Sequence, residues 1–366
     1  MADITNMFFS ADKSGEIQQI IDLGVNLTID AMDDAKRASA DYASDNQKYK
    51  HSILNFCADQ CGIRRPDSDR GVRMAFANVA FESLFNSIIS EIQSGVMVRA
   101  QSPALMAMCN VVNVDAGDSY TWEIDTKGLP VVQRASLTTN MALRDSYSMT
   151  PITITPIPYV AATVIDYIRV LANDFDFGRE MARVYQAHLY KQTSLVASAI
   201  FSTTATPAAL YQATWNGNNY VKMAEVLSSL NNGAGVTSYG TRTAWNSIGA
   251  LATTGGYSTK DRFIENGYLQ KIYGIDSVLV ENAADLSAPL ASTLASVSLA
   301  VPTNLIVMLS GVGDKPVKLV RENYVRIQKD DQNAGSLNRL SYKYFMSYDV
   351  GLATQAHFAV QNVAST

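Results

Sequence analysis

NDFDFGREMARVYQAHLYKQTSLVASAIF, residues 173–201, is the stretch on which the rest of the chain is organised. Phe177, Met181, Val184, Tyr185, Leu189, Leu195, Val196, Ala199 and Ile200 recur at spacings of three and four, the pattern of one buried helical stripe. Asn173 or Asp174 can serve as the N-cap, with Asp176 and Glu180 placing negative charge near the positive end of the helix dipole. No Gly or Pro interrupts the segment after Gly178. At 1.5 Å per residue the helix reaches roughly 40 Å, the dimension of a strut rather than of a pocket wall.

Upstream of this strut the periodicity is first helical, then extended. Ile17, Ile20, Ile21 and Val25 form one patch, and Ile53, Leu54, Phe56 and Cys57 another; both read as an N-terminal helical arm over residues 1–73. The polar stretch between them, Met32 to Lys50, is either a solvated helix or one that finds its partners on a neighbouring chain. Arg64, Arg65, Arg70 and Arg73 surround Pro66 and Gly71 in what reads as a loop. They can lie along phosphate backbones, pair with acids of an adjoining subunit, or remain solvated. A second helix is predicted from about Ala75 to Gln93.

From Asn110 the period changes to two. Val112 and Val114 lead into Asp115-Ala116-Gly117-Asp118, a turn in which Gly can take positive φ, and Tyr120, Trp122 and Ile124 follow in alternation. The return through Ile152 and Ile154 carries Pro151, Pro156 and Pro158, which lack the N–H that a central strand must donate. These two runs predict a long two-stranded arm projecting from the body.

After the strut, Tyr220 to Leu230 reads as a helix stopped by Asn231-Asn232-Gly233, and Thr243 to Leu251 as another. Phe263 to Tyr273 reads as a short helix closed by Gly274, followed by strands at Asp276 to Glu281 and Leu305 to Leu309. Alternation then predicts strands through Tyr324 to Gln328, Leu340 to Met346, and Ala356 to Val360.

Composition narrows the function classes. The 366 residues are enough for two or three domains, with 47% hydrophobic and only 17% charged residues. A low charge leaves weakly polar surface available to meet other chains. The net charge of −5 argues against a general polyanion binder, though not against one basic face. No signal peptide and no run of eighteen apolar residues is present, so no membrane span is expected. Three Cys are too few for a disulfide framework, which points to synthesis in a reducing compartment. The start at Met1 is taken to mean that no N-terminal segment has been removed.

Catalytic motifs are not evident. His51, His188 and His357 are widely spaced, no Gly-x-Ser-x-Gly occurs, and His188 lies beside the apolar stripe, where a hydrogen-bonded structural histidine is expected. Cys57 and Cys61 share a helical face without the four-ligand set of a structural zinc site, so buried free thiols are expected. Gly311-Val312-Gly313-Asp314-Lys315 lacks the second half of a phosphate loop, and Asp67-Ser68-Asp69-Arg70-Gly71 lacks the closing Glu of a calcium loop. No cofactor, metal or enzymatic activity is expected.

The order of these elements resembles the Hong Kong 97-type fold of tailed-phage major capsid proteins. Asp115 to Trp122 resembles the root of that family's extended loop, and Pro151 to Tyr167 running into Asn173 to Phe201 resembles its return strand and spine helix. Gly267 to Ile275 before a strand is similar to the axial helix-turn-strand, and Tyr324 to Gln328, Leu340 to Met346 and Gly351 to Val360 to the closing strands. The implied fold is α+β. Its implied divisions are a helical arm over 1–73, a helical region over 74–110, the extended loop and its base over 111–171 and the spine helix over 172–204. An axial domain follows over 205–310, peripheral strands over 311–350, and a final strand returning to the axial domain over 351–366. The arm matches no family motif.

The resemblance implies a self-assembling subunit of hexamers and pentamers in an icosahedral virion shell around double-stranded DNA, built in the host cytoplasm. Portal, scaffolding and decoration proteins are implied partners, with non-specific contact to packaged DNA. Some family members cross-link a loop lysine to a neighbour's asparagine; Lys127 with Asn323, Asn333 or Asn338 is the candidate set here. Contact without a covalent bond through Lys127, Arg134 and Arg144 is the reading preferred. The rivals are a nanocompartment shell of the same fold, enclosing a cargo enzyme, and a soluble α/β enzyme.

Overall fold

A computed structural model describes residues 14–99, 108–125, 149–166, 176–201, 209–231, 233–252, 270–280, 282, 299–310, 315–329, 339–353 and 358–363. The architecture is α+β, with two bodies of sheet and a helical layer. The helices are α1 (Ser14–Met32), α2 (Asp34–Arg37), α3 (Ala40–Gln60), α4 (Asp69–Phe76), α5 (Val79–Arg99), α6 (Phe177–Phe201), α7 (Gly217–Leu230) and α8 (Arg242–Ala252). The strands are β1 (Cys109–Val114), β2 (Tyr120–Asp125), β3 (Met149–Ile154), β4 (Ile157–Asp166), β5 (Ala209–Gln212) and β6 (Val236–Gly240). They continue with β7 (Lys271–Ile272), β8 (Ile275–Leu279), β9 (Leu305–Ser310), β10 (Val317–Lys329), β11 (Arg339–Leu352) and β12 (Phe358–Asn362).

The first body is a four-stranded sheet in the order β1-β10-β11-β4. β1 runs parallel to β10, and the other two pairs are antiparallel. Its helical face is built from alternate residues of β11, since Tyr342, Tyr344, Met346 and Tyr348 are all buried in the main core. α5 and α6 pack on that face, and α1 packs in turn on both. β4, which carries Pro158, sits at the sheet edge, where a strand tolerates a missing N–H donor.

α6 is the expected strut, 25 residues long and so roughly 37 Å. It begins three residues later than its first candidate cap: Asp176, not Asn173 or Asp174, is the capping residue. The Asp176 carboxylate accepts from Arg179 N–H at 3.0 Å, and its carbonyl accepts from Glu180 N–H. Positions 173 and 174 lie outside the described residues. The predicted stripe is buried or packed against the core along its length, joined by Ala182, Ala197, Gln192 and His188.

The helices expected as an arm pack into the principal core instead. Ile17, Val25, Ile53, Leu54 and Cys57 are buried there with Val196 and Ile200 of α6, each burial of this kind contributing about 1.5–3 kcal/mol. The polar stretch is divided: α2 buries none of its residues, whereas α3 buries Tyr42, Asn46, Tyr49 and Lys50. The Gly62 to Arg73 loop is also corrected. Its second half is α4, started by Ser68, whose hydroxyl accepts from Gly71 N–H at 3.2 Å. The helix predicted from Ala75 is two helices, separated where Asn78 caps α5 through bonds from Ala80 and Phe81 N–H.

The second body is a six-stranded sheet in the order β5-β12-β9-β6-β8-β7. β9 and β12 are buried on both faces. Leu305, Val307 and Leu309 of β9 face the main core, while Ile306 and Met308 face a second core with Tyr220, Leu227 and Trp245 of α7 and α8. β12, the last strand of the chain, lies here between β5 and β9. Of the helix predicted over Phe263 to Tyr273, positions 271 and 272 form β7, paired with β8 through Tyr273 (φ 51°) and Gly274 (φ 82°); positions 263–269 lie outside the described residues.

Candidate assembly surfaces

Among the described residues β2 and β3 pair only with each other, antiparallel, from Tyr120↔Ile154 to Asp125↔Met149. β1 and β2, adjacent in sequence, do not pair; the turn between them hands the chain from the sheet to the ribbon. Gly117 takes φ 87°, and its N–H donates to Glu322 Oε1 at 2.9 Å, pinning the turn to β10. Alternation gives the ribbon two unlike faces. Thr121 and Thr153 are exposed and share a 2.8 Å hydrogen bond, while Trp122, Ile124, Ile152 and Ile154 turn inward.

The inward face sits on the side of the four-stranded sheet opposite α6. Ile154 packs with Val114 and Val320, and Ile124 with Ala353. The Lys318 ammonium lies 5.7 Å from the centroid of the Trp122 ring. Gly351 is the notch that admits this seat: a Cβ there would stand 2.5 Å from Ile154 Cδ1. The ribbon's open end, at Asp125 and Met149, leads into residues 126–148. Lys127, Arg134 and Arg144 fall in that segment, outside the described residues, as do Asn333 and Asn338. Asn323 lies half-buried in β10, where the register with β11 shifts between Arg321 and Val325.

The N-terminal end of α6 is tied to the helical layer. Asn46 Oδ1 accepts from Phe177 N–H at 3.1 Å and from Gly178 N–H at 3.4 Å, satisfying two of the helix's open donors. Tyr42 donates its hydroxyl to Asp176 at 2.6 Å. Further along α6, His188 is buried, with Nδ1 3.3 Å from the Tyr348 hydroxyl and its ring edge-on to Tyr348. Burial holds its pKa down to about 4. It is a structural histidine joining helix to sheet, as expected.

The four arginines do not form one cluster of free charges. Arg65 is engaged by Asp59 through bonds of 3.0 and 2.7 Å. Arg64 on the loop and Arg70 and Arg73 on α4 are exposed and make no ion pair among the described residues. Beside them stand Met74 and Val79, 64% and 80% exposed.

Cys57, Cys61 and Cys109 are free thiols. Burial raises the pKa of all three, Cys109 to about 12, so none is poised as a thiolate. No group of three His, Cys, Asp or Glu side chains among the described residues could hold a metal ion. No described helix is long and apolar enough to cross a membrane. His51 is exposed on α3; His357 and the glycines at 311 and 313 lie outside the described residues.

Sequence reading passed over Arg321, which lies ahead of the strand predicted from Tyr324 yet in phase with Val317, Leu319, Val325 and Ile327 on the apolar face of β10. It is 3% exposed, donates from Nε to Asn113 Oδ1 at 2.9 Å and from Nη1 to the Met97 carbonyl at 3.5 Å. That carbonyl belongs to the last turn of α5, where the helix dipole favours a cation. Desolvation lowers the Arg321 pKa. The residue joins β1, β10 and α5 at one point.

No family model matches the sequence, and no curated protein does. Solved capsid structures align with part of the chain, each at a TM-score below 0.5. The capsid of an empty GTA particle aligns at TM-score 0.47 and 15% identity, over 72% of this chain and 91% of that one. The capsid of Cyanophage P-SCSP1u aligns at TM-score 0.46 and 12% identity, over 73% and 89%. A virus-like particle from Pyrococcus furiosus aligns at TM-score 0.45 and 8% identity, over 76% and 99%.

Proposed function

We propose that this chain is the major shell subunit of a tailed phage, assembling as hexamers and pentamers into an icosahedral capsid around double-stranded DNA. The observation that carries the reading is the ribbon β2–β3, seated across one face of a sheet whose other face holds the long helix α6. A strut and a rooted two-stranded ribbon make a subunit built to reach and brace a neighbour. A two-stranded ribbon is marginal on its own in water, so one of this kind gains from a partner surface. In a shell every subunit supplies that surface. Lys127, Arg134 and Arg144, carried between the two ribbon strands, are then the residues that meet the neighbour, without a covalent bond. Assembly takes place in the host cytoplasm, with portal, scaffolding and decoration proteins as further partners. Catalysis has no place in this reading.

The test is the content of purified particles after nuclease and protease treatment. Protected double-stranded DNA within closed particles supports a virion shell. Closed particles holding a specific protein and no genome would move the assignment to a nanocompartment. A discrete small particle that turns over a substrate would replace both.

A further inference from the structure

The corner where α4 meets α5 carries an unusual combination. Arg64, Arg70 and Arg73 are exposed without an ion pair among the described residues, and Met74 and Val79 are the two most exposed large hydrophobic side chains among them. Arginine and methionine beside exposed aliphatic surface is the composition of a protein interface rather than of a phosphate-binding face. Asp67 and the Asp59 that occupies Arg65 would also repel a polyanion.

The complementary surface is at the other end of α3. Asp41 and Asp45 are exposed one turn apart on that helix, just as Arg70 and Arg73 are one turn apart on α4. Side chains so spaced stand about 5–6 Å apart on a helix face, so the two pairs match in register. Asp41 makes no ion pair among the described residues, and Asp45 only a loose contact of 3.7 Å with the exposed Lys48. Within one copy no ion pair joins the two surfaces among the described residues, and about 22 Å of α3 lies between Asp45 and Gln60, beyond which the chain leaves toward α4.

We infer that Arg70 and Arg73 of one copy dock against Asp41 and Asp45 of a second copy, with Met74 and Val79 buried alongside. Two different patches on each subunit make the contact heterologous, the kind that closes into rings or propagates. The inference rests on the shell reading and assigns a role to the helices that match no family motif. It gives the N-terminal layer the task of linking neighbours head to tail.

The experiment is a charge swap on the full chain, read by sedimentation velocity and electron microscopy. Arg70→Glu/Arg73→Glu makes both patches acidic, and Asp41→Lys/Asp45→Lys makes both basic. Each variant alone should need roughly tenfold more protein, or more, to assemble, as like charges now face each other. Mixing the two, or combining all four changes in one chain, should restore assembly, and melting temperatures near wild type exclude simple misfolding. Wild-type-like assembly of both variants would overturn the inference while leaving the shell reading intact. So would loss in each without recovery in the mixture or the combined variant. A reversed-arginine variant that assembles normally but loses encapsidated nucleic acid would also overturn it, assigning the patch to DNA. Failure of the wild-type chain to assemble would instead overturn the shell reading beneath it.

Discussion

Gly351→Ala is the sharpest probe of how the ribbon is seated. The added Cβ would stand 2.5 Å from Ile154 Cδ1 and 3.0 Å from Cγ1, against ordinary contacts of about 3.5–4.0 Å. Ile154 is 5% exposed and wedged between Val114 and Val320, so it cannot swing away without opening the seat. Overpacking of this kind costs about 1–3 kcal/mol, partly offset by about 0.4–1 kcal/mol of reduced freedom in the unfolded chain. A net loss of about 1–2 kcal/mol is expected. Ile154→Ala alone should cost about 2–3 kcal/mol, the lower part of the range for a buried aliphatic, because only two other fully buried side chains share the cluster. In that background the clash is gone and the new methyl enters the cavity, so Gly351→Ala should become nearly silent. Urea unfolding of the unassembled subunit supplies all four corners of the cycle. Costs that add to within about 0.5 kcal/mol would refute the seat, since they would mean the two positions do not touch.

Two further outcomes follow from α6. Leu189→Pro removes a backbone donor in mid-helix and should cost about 3 kcal/mol or more, visible as lost helicity by circular dichroism and absent shells; intact shells from that variant would contradict the role of α6 as a strut. His188 gives a pH signature: its folded pKa is about 4 against an ordinary 6.5, so between those values the unfolded chain takes up a proton that the folded chain refuses. Stability on this account is full above pH 6.5 and falls as the pH drops toward 4, by about 2 kcal/mol at pH 5 and at most about 3 kcal/mol below pH 4. His188→Gln should flatten the stability profile between pH 7 and 5, and an unchanged slope would show that His188 is not held neutral.

What could be read from the sequence depended on how local each signal is. The α6 stripe was legible because a 3.6-residue period sustained over 25 residues matches an α-helix and cannot be confused with the two-residue period of a strand. Its start was not, because residues 173, 174 and 176 are all competent caps, and the choice is made by Asn46 and Tyr42, about 130 positions away in the chain. The return run was read as one strand of a projecting arm, but it is split between two sheets: Pro151 stands on the ribbon strand β3 and Pro158 on the edge strand β4. The helical layer was misjudged as an arm since Ile17 and Ile53 reveal that they are buried, but not against what. β5 and β6 escaped notice as strands of four and five residues, too short for alternation to stand out. β7 was read as the end of a helix because Leu269, Ile272 and Tyr273 happen to fall at helical spacing. At the assembly surfaces, the arginine group was visible, but the division into an engaged Arg65 and an open Arg64, Arg70 and Arg73 required coordinates. Arg321 lay ahead of the strand predicted from Tyr324, so its place in phase with the apolar Val325 and Ile327 went unread.

The most direct test of the central claim is the size of what the purified chain forms, measured by sedimentation velocity with negative-stain images of the same sample. Closed shells of uniform diameter, or six- and five-membered rings, are the expected result. A monomer or dimer that persists at every concentration and salt condition would contradict it.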